Sequence, residues 1–355
     1  MNKNLLRWVP AAVVPVLIAA GVIAAHGATD VSLPTKTPEQ VLTLVGQSSV
    51  TAFSGTIEQS SNLGLPALPS VGPSANAGLS SALEFLTGSH TARVFVDGPT
   101  NARVQVIDTL AERDLVRNGA ELWAYDSSKA TATHLRLPAG GAFKHPGAVT
   151  PDPDAGVQTP AQLAHRLLAE LTPSTTVSLG DNASVAGRSA YDLVLTPRTS
   201  ATLVGSVSIA VDAKTGMPLR VEVNARGQKD AAVSIAFTDV SLQAPAASTF
   251  DFTAPKGTTV KQQTLPQSLG ALRHTADHAA APKVIGSDWA SIVELPAGTV
   301  PASALTSPLL AQASSAVSGG RLLSTSLVNV FVASDGRVFA GSVPASALQA
   351  AASDR

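Results

Sequence analysis

Apolar side chains recur at every second position over most of the chain, and that alternation predicts strands rather than helices. It is cleanest at Leu203, Gly205, Val207, Ile209 and Val211, then at Leu219, Val221 and Val223, then at Val233, Ile235 and Phe237. The intervening positions carry Ser, Arg, Glu and Asn, so these three runs predict an antiparallel meander with one dry and one wet face. Upstream, Phe53–Gln59, Ala92–Val96, Arg103–Asp108, Arg113–Arg117, Leu122–Asp126 and Thr131–Leu137 read as further strands. Asp97-Gly98-Pro99 and Asn118-Gly119 are the turn signals between them. Helical spacing is rarer. Val41, Leu42 and Val45 share one face of a short helix, with Thr37 as its cap and Pro38 at its first position. Leu163, Leu167, Leu168 and Leu171 share one face of a second helix, capped at Thr159-Pro160.

The chain divides into four parts. Residues 1–30 carry Lys3 and Arg7 ahead of an apolar run from Trp8 to Ala25, which reads as a signal peptide or an N-terminal membrane anchor. At 1.5 Å per residue that run spans about 27 Å, close to a hydrocarbon core, and this favours the anchor. A weak small-residue cleavage site lies around Ala25 and Gly27. Residues 36–262 form the β-rich domain, with a Gly-, Pro-, Ser- and Leu-rich apolar insertion at 61–87 that could cover a cavity. Residues 263–282 read as a linker. Residues 283–355 read as a small α+β unit: a strand at Val284–Leu295, a helix at Pro301–Val317, strands at Arg321–Ser334 and Val338–Val343, then a short helix.

Composition narrows the functions. The formal net charge is -1 over 355 residues, which gives no pull toward a phosphate backbone, so nucleic acid is not an expected partner. The absence of cysteine excludes disulfides, thiol catalysis, cysteine metal sites and a lipid-modified N-terminal cysteine. Hydrophobic residues make up 45% but aromatics only 4%, so the apolar surface is mostly Ala, Val and Leu. Phosphate-loop, dinucleotide-glycine and Gly-x-Ser-x-Gly patterns are missing. His274 and His278, with Asp277, read as linker polarity rather than a metal pair, and Asp152 and Asp154 as a turn rather than a calcium site. His90, His134, His145 and His165 have no nucleophile at pairing distance in sequence. The chain reads as a non-enzyme, without cofactor or metal.

Five segments resemble landmarks of the LolA/LolB lipoprotein-carrier superfamily, whose relatives include the MucB/RseB regulators, in an actinobacterial version. They are Phe53–Gln59, Asn118–Asp126, Tyr191–Arg198, Val211–Leu219 and Phe250–Val260, in that order over about 225 residues. The resemblance implies an unclosed antiparallel β-barrel covered by helices, with an apolar interior that receives acyl chains. The unit after the linker makes the chain look more like MucB/RseB than like a bare carrier. One feature departs: carriers have a basic residue before the Pro of the second strand turn, where this chain has Gly98 before Pro99. No lid latch is carried over.

The expected fold is therefore mainly β (α+β): a LolA-like half-barrel, a small C-terminal α+β unit and an N-terminal apolar helix. The expected function is an extracytoplasmic lipid- or lipoprotein-binding carrier on the outer face of the cell membrane, tethered by that helix or secreted after its cleavage. Burying a chain of about 14 methylenes at roughly 0.8 kcal/mol each gives on the order of 10 kcal/mol before association costs, with no polar catalyst required. The candidate lipid-binding residues are Trp123, Tyr125, Val207, Ile209, Val221, Val223, Ile235 and Phe237. Two alternatives stand beside this: an envelope-stress regulator that binds a membrane anti-sigma factor, and a structural envelope protein with a filled core and no ligand.

Overall fold

The computed structural model describes residues 31–65, 88–108, 111–137, 173–264, 282–301 and 305–354. The apolar segment 1–30, most of the insertion, the helix expected at 159–171 and most of the linker lie outside these described residues. No helix among the described residues is long and apolar enough to cross a membrane.

Helix α1 (Pro38–Gly46) begins where its cap predicts. Thr37 Oγ1 accepts the Gln40 backbone N–H at 3.3 Å, and Gln40 Oε1 accepts the Thr37 N–H at 2.9 Å. This reciprocal pair satisfies two amide donors that the first turn leaves without helical partners. Val41 is fully buried and fixes the inward face. Thr37→Ala should lower stability by about 1 kcal/mol, read as a drop in the urea midpoint at constant slope. An unchanged midpoint would assign the helix start to packing alone.

Thirteen strands then build one sheet. They are β1 (Ala52–Ser61), β2 (Gly88–Asp97), β3 (Asn101–Asp108), β4 (Ala111–Asn118), β5 (Glu121–Asp126), β6 (Thr131–Arg136) and β7 (Thr175–Leu179). β8 (Ala183–Val185), β9 (Arg188–Pro197), β10 (Val204–Asp212), β11 (Pro218–Ala225), β12 (Val233–Ser241) and β13 (Thr259–Thr264) complete it. The order is β13-β6-β5-β4-β3-β2-β1-β12-β11-β10-β9-β7, with β8 beside β9, so the sheet is open at both ends. The fold is mainly β, and no barrel closes among the described residues. β1 sits in the middle and joins two antiparallel halves, β2–β6 on one side and β9–β12 on the other. The last strand departs from the antiparallel expectation, since β13 pairs with β6 in parallel.

The turn between β10 and β11 shows how local chemistry fixes a packing surface. Asp212, nearly fully buried, accepts Arg188 Nε and Nη2 at 2.6 and 3.1 Å. It also accepts the backbone N–H groups of Lys214 and Thr215 and the Thr215 hydroxyl. Gly216 follows at φ 73°, and a Cβ there would lie 2.1 Å from the Leu44 carbonyl oxygen of α1. Only glycine allows this turn to support the helix so closely.

The second sheet has the order β14 (Lys283–Ile285), β15 (Ile292–Leu295), β19 (Val338–Gly341), β18 (Asn329–Ala333), β17 (Gly320–Ser324) and β16 (Ser315–Val317). Helix α2 (Pro308–Ala313) precedes β16, and α3 (Ala345–Ser353) packs on β18 and β19. Ile292, Phe331, Phe339, Val343 and Leu348 form its core. Three expected elements change here. Val284–Leu295 is two strands either side of a 3-10 turn at Asp288–Ala290, because the chain reverses to present Trp289 to the other sheet. Arg321–Ser334 is also a pair of strands, reversed where Thr325 and Val328 exchange hydrogen bonds. Of the helix expected at Pro301–Val317, Leu305 and α2 are helical, residues 302–304 lie outside the described residues, and Ser315–Val317 is strand.

The two sheets share a core. Trp289 and Leu327 from the second unit pack in one cluster with Leu63, Val204, Val207, Val223 and Val233 of the first. Trp289 Nε1 donates to the buried Thr175 hydroxyl at 2.8 Å. The Ser342 carbonyl accepts from Leu203 N and Thr202 Oγ1, and Ser326 N donates to the Leu63 carbonyl. These bonds pair polar groups beside the apolar cluster, as a stable docked interface requires.

Candidate functional site

Directly opposed residues in an antiparallel ladder point to the same side, so register carries a face from strand to strand. Leu195–Val207–Val223–Val233 and Leu193–Ile209–Val221–Ile235 are two such rows. They make the apolar face of β9–β12, and this half is filled. At one end α1 lays Val41 on Tyr191, Leu193 and Val211, with Ile209 alongside. At the other end Trp289, Leu327 and Leu63 cover Val207, Val223 and Val233. Val207, Val221 and Val223 are buried, and Ile209 and Ile235 are half-buried against the same core. Phe237 lies where the halves meet: it opposes Ile57, covers Gly55 and meets Phe53 edge-on at 5.9 Å.

Across β1 the same face continues over β2–β6, with less cover from the described residues. One row runs Gly55–Val94–Val104–Leu115–Ala124 and the next Phe53–Val96–Ala102–Arg117–Leu122–Leu135. Leu115 is 47% exposed, and Val94, Val96, Val104 and Leu122 are half-buried. Chain alternation predicts these strands but does not single out these residues. In β4 the face reads Arg113, Leu115, Arg117, and only its neighbours across the ladder reveal an apolar surface.

Trp123 and Tyr125 share a face, as their spacing predicts, but it is the opposite one. The row through Trp123 is Phe95–Arg103–Val116–Trp123–His134, on the side of Glu58 and Ala236. Trp123 stacks on His134 with centroids 4.1 Å apart and meets Phe252 at 5.2 Å, while Tyr125 meets Phe252 at 5.8 Å. His134 Nε2 lies 2.5 Å from Glu121 Oε2, and its Nδ1 lies 3.0 Å from Gln262 Oε1 on β13. A short 3-10 segment, Ala247–Phe250, crosses this face and buries Phe250. Arg103 ties it down, donating from Nη1 to the Thr249 carbonyl and gripping Asp114 through Nε and Nη2 at 3.1 and 2.6 Å. Burial pushes the Asp114 carboxyl above its ordinary value, and the Arg103 bonds and charge offset this only in part. The eight sequence candidates therefore form two groups on opposite faces rather than one.

Chemically the described residues offer surfaces more than reactive groups. A second polar network on the Trp123 side joins Asp192, Arg220 and Glu222, with the Ser234 hydroxyl donating to Glu222 at 2.9 Å. Burial again raises the Asp192 carboxyl, against the lowering charge of Arg220. Among the described residues no group of three or more His, Asp and Glu side chains converges as a metal site.

No family model matches the sequence, and no curated protein matches it. Solved structures do. A structure of the Pseudomonas aeruginosa MucA/MucB complex is 15% identical over 88% of this chain and 96% of that one, with a TM-score of 0.44. A LolA superfamily protein from Nitrosomonas europaea is 14% identical over 61% of this chain and 99% of that one, with a TM-score of 0.24. An outer membrane lipoprotein-sorting protein domain from Vibrio parahaemolyticus is 10% identical over 57% and 91%, with a TM-score of 0.21. Their names, MucB and LolA superfamily, are those of the group that the five sequence segments resemble.

Proposed function

We propose that the protein is an extracytoplasmic lipid-binding protein that holds acyl chains on the β2–β6 half of its apolar face. The observation that carries this reading is the row Val94–Val104–Leu115–Ala124, which is apolar, continuous in register and exposed at Leu115. The other half of the face serves as core, held by α1 and the C-terminal unit. Val207, Val221 and Val223 then stabilise the fold, and Ile209, Ile235 and Phe237 border the site. Trp123 and Tyr125 support it from behind by fixing the strands on which it lies.

The test is native mass spectrometry of residues from Asp30 onward, produced in a lipid-bearing host and purified without detergent. A discrete lipid-sized added mass is expected. Leu115→Asp should cut that occupancy at least ~10-fold, because a carboxylate cannot be buried against hydrocarbon without a cost of several kcal/mol. Its thermal unfolding should change little, since Leu115 is half in solvent. A Leu115→Asp protein that keeps its lipid would remove β4 from the site. A lipid-free wild type that instead carries a single-pass membrane protein would move the function to partner binding of the anti-sigma type.

A further inference from the structure

Before α1 begins, residues 31–36 are pinned to one end of the large sheet. The Val31 carbonyl accepts from Asn182 Nδ2 at 3.0 Å, and the Pro34 carbonyl accepts from the hydroxyl of the buried Tyr191 at 2.9 Å. Lys36 Nζ stands 5.8 Å from the centre of the Tyr191 ring. α1 continues at the same end, with Val41 on Tyr191 and Val211 and the Leu44 carbonyl beside Gly216.

Strand direction identifies this end. β9 starts at Arg188, β10 finishes at Asp212 and β11 starts at Pro218, so the loop 180–182 and the turns at 186–187 and 214–216 all lie there. The C-terminal unit docks at the other end. Its hydrogen bonds go to Thr175 at the start of β7, to Thr202 and Leu203 ahead of β10, and to Leu63 beyond β1. The 10 residues of β9 hold the two ends about 30 Å apart.

The apolar run that reads as a membrane anchor finishes at Ala25, close ahead of the pinned residues. From there to Val31 an extended chain reaches at most about 20 Å, less than the length of β9. Asn182 and Tyr191 shorten the tether further, because they fix residues 31–34 on the sheet and leave none of them to act as slack.

We propose that the Val31 end of the sheet, with the loop 180–182 and the turn at 214–216, faces the surface of the lipid bilayer. The C-terminal unit is then held on the side away from the membrane. This rests on the anchor reading of residues 8–25 and is independent of whether β2–β6 takes a guest.

The chain has no cysteine, so single-cysteine variants place a fluorophore at one site without competing thiols. Asp181→Cys and Lys214→Cys report on the Val31 end, Lys229→Cys on the far end of the same sheet, and Ser346→Cys on the C-terminal unit; all four positions are exposed. The full-length chain is reconstituted in phosphatidylglycerol–phosphatidylcholine vesicles containing a lipid with a nitroxide quencher on its headgroup. Labels at 181 and 214 should lose most of their emission, and labels at 229 and 346 should keep theirs. Asn182→Ala and Tyr191→Phe together untie residues 31–34, which lengthens the tether by about 14 Å and should restore emission at 181 and 214. If that double variant fails to fold, the four-site pattern in the otherwise native chain still decides. Equal quenching at all four sites would lay the sheet flat on the bilayer, and quenching confined to 229 or 346 would invert it. Either result overturns the assignment, as does quenching at 181 and 214 that the folded double variant leaves intact. A full-length chain that does not stay with the vesicles removes the anchor and the orientation together, while lipid uptake by the chain from Asp30 onward is unaffected.

Discussion

Replacing Trp289 with alanine is expected to destabilise the protein by about 3–5 kcal/mol, the range for removing a large buried aromatic. Three losses add together. The indole fills the junction between the two sheets beside Val204, Val207 and Leu327. Its Nε1–H donates to the Thr175 hydroxyl, which is fully buried and would keep only the Ser174 hydroxyl, 3.3 Å away, as a partner. The junction itself weakens, because Trp289 is the largest side chain that the second unit inserts. The expected phenotype is a two-step unfolding curve in place of one, with the C-terminal unit released first and Val207 and Val223 newly open to solvent. Hydrogen exchange at β10 and β11, read alongside urea unfolding, would show it. A single transition shifted by less than about 1 kcal/mol would mean that Leu327 and the backbone bonds at Ser342 and Ser326 suffice to hold the units together. Trp289→Phe separates the terms, restoring most of the volume while removing the indole N–H bond to Thr175.

Arg188→Ala should cost about as much at neutral pH, because it strands a buried carboxylate. In the intact protein burial alone would raise the Asp212 carboxyl, but hydrogen bonds from Arg188 and from the Thr215 hydroxyl and amide outweigh it, and the net position is below the ordinary value. The stability Asp212 supplies is therefore fully present above about pH 4 and is lost as pH falls through its depressed folded value. Without Arg188 the burial effect gains on the remaining bonds, and the carboxyl moves up. Protonation then relieves the folded state instead of harming it. The predicted signature is a gap between variant and wild type of about 3–5 kcal/mol at pH 7 that narrows as pH is lowered below about 5. A gap independent of pH would show that the loss comes from packing of the Arg188 stem rather than from charge.

The two predictions bear on function because they address the filled half of the apolar face. Arg188 and Asp212 hold the turn on which α1 rests through Gly216, and Trp289 caps the opposite end. Both devices close the apolar face of β9–β12. A protein in which the cap is loosened should expose a second apolar surface, so lipid stoichiometry in Trp289→Ala is informative in its own right.

Much of this architecture can be read from local sequence. Thr37 with Gln40 marks the start of α1, Asn118-Gly119 and Asp335-Gly336 mark reversals that carry glycines at positive φ, and alternation marks β3–β6 and β10–β12. Each signal acts within a few residues, so the chain alone determines it. Alternation also puts Trp123 with Tyr125, and Val207 with Ile209. It has no means of relating those pairs, because a face is passed from strand to strand by register, and the register runs through β1 with a bulge at Thr56–Ile57. The same limit applies to Val284–Leu295: an apolar run reads as one strand until the tertiary contact of Trp289 with Thr175 breaks it. The sequence by itself determined a two-part, mainly β protein without cysteine chemistry and with an apolar face to cover. Which rows of that face are core was decided only by long-range pairing, since those neighbours lie too far apart in the chain for any local pattern to record.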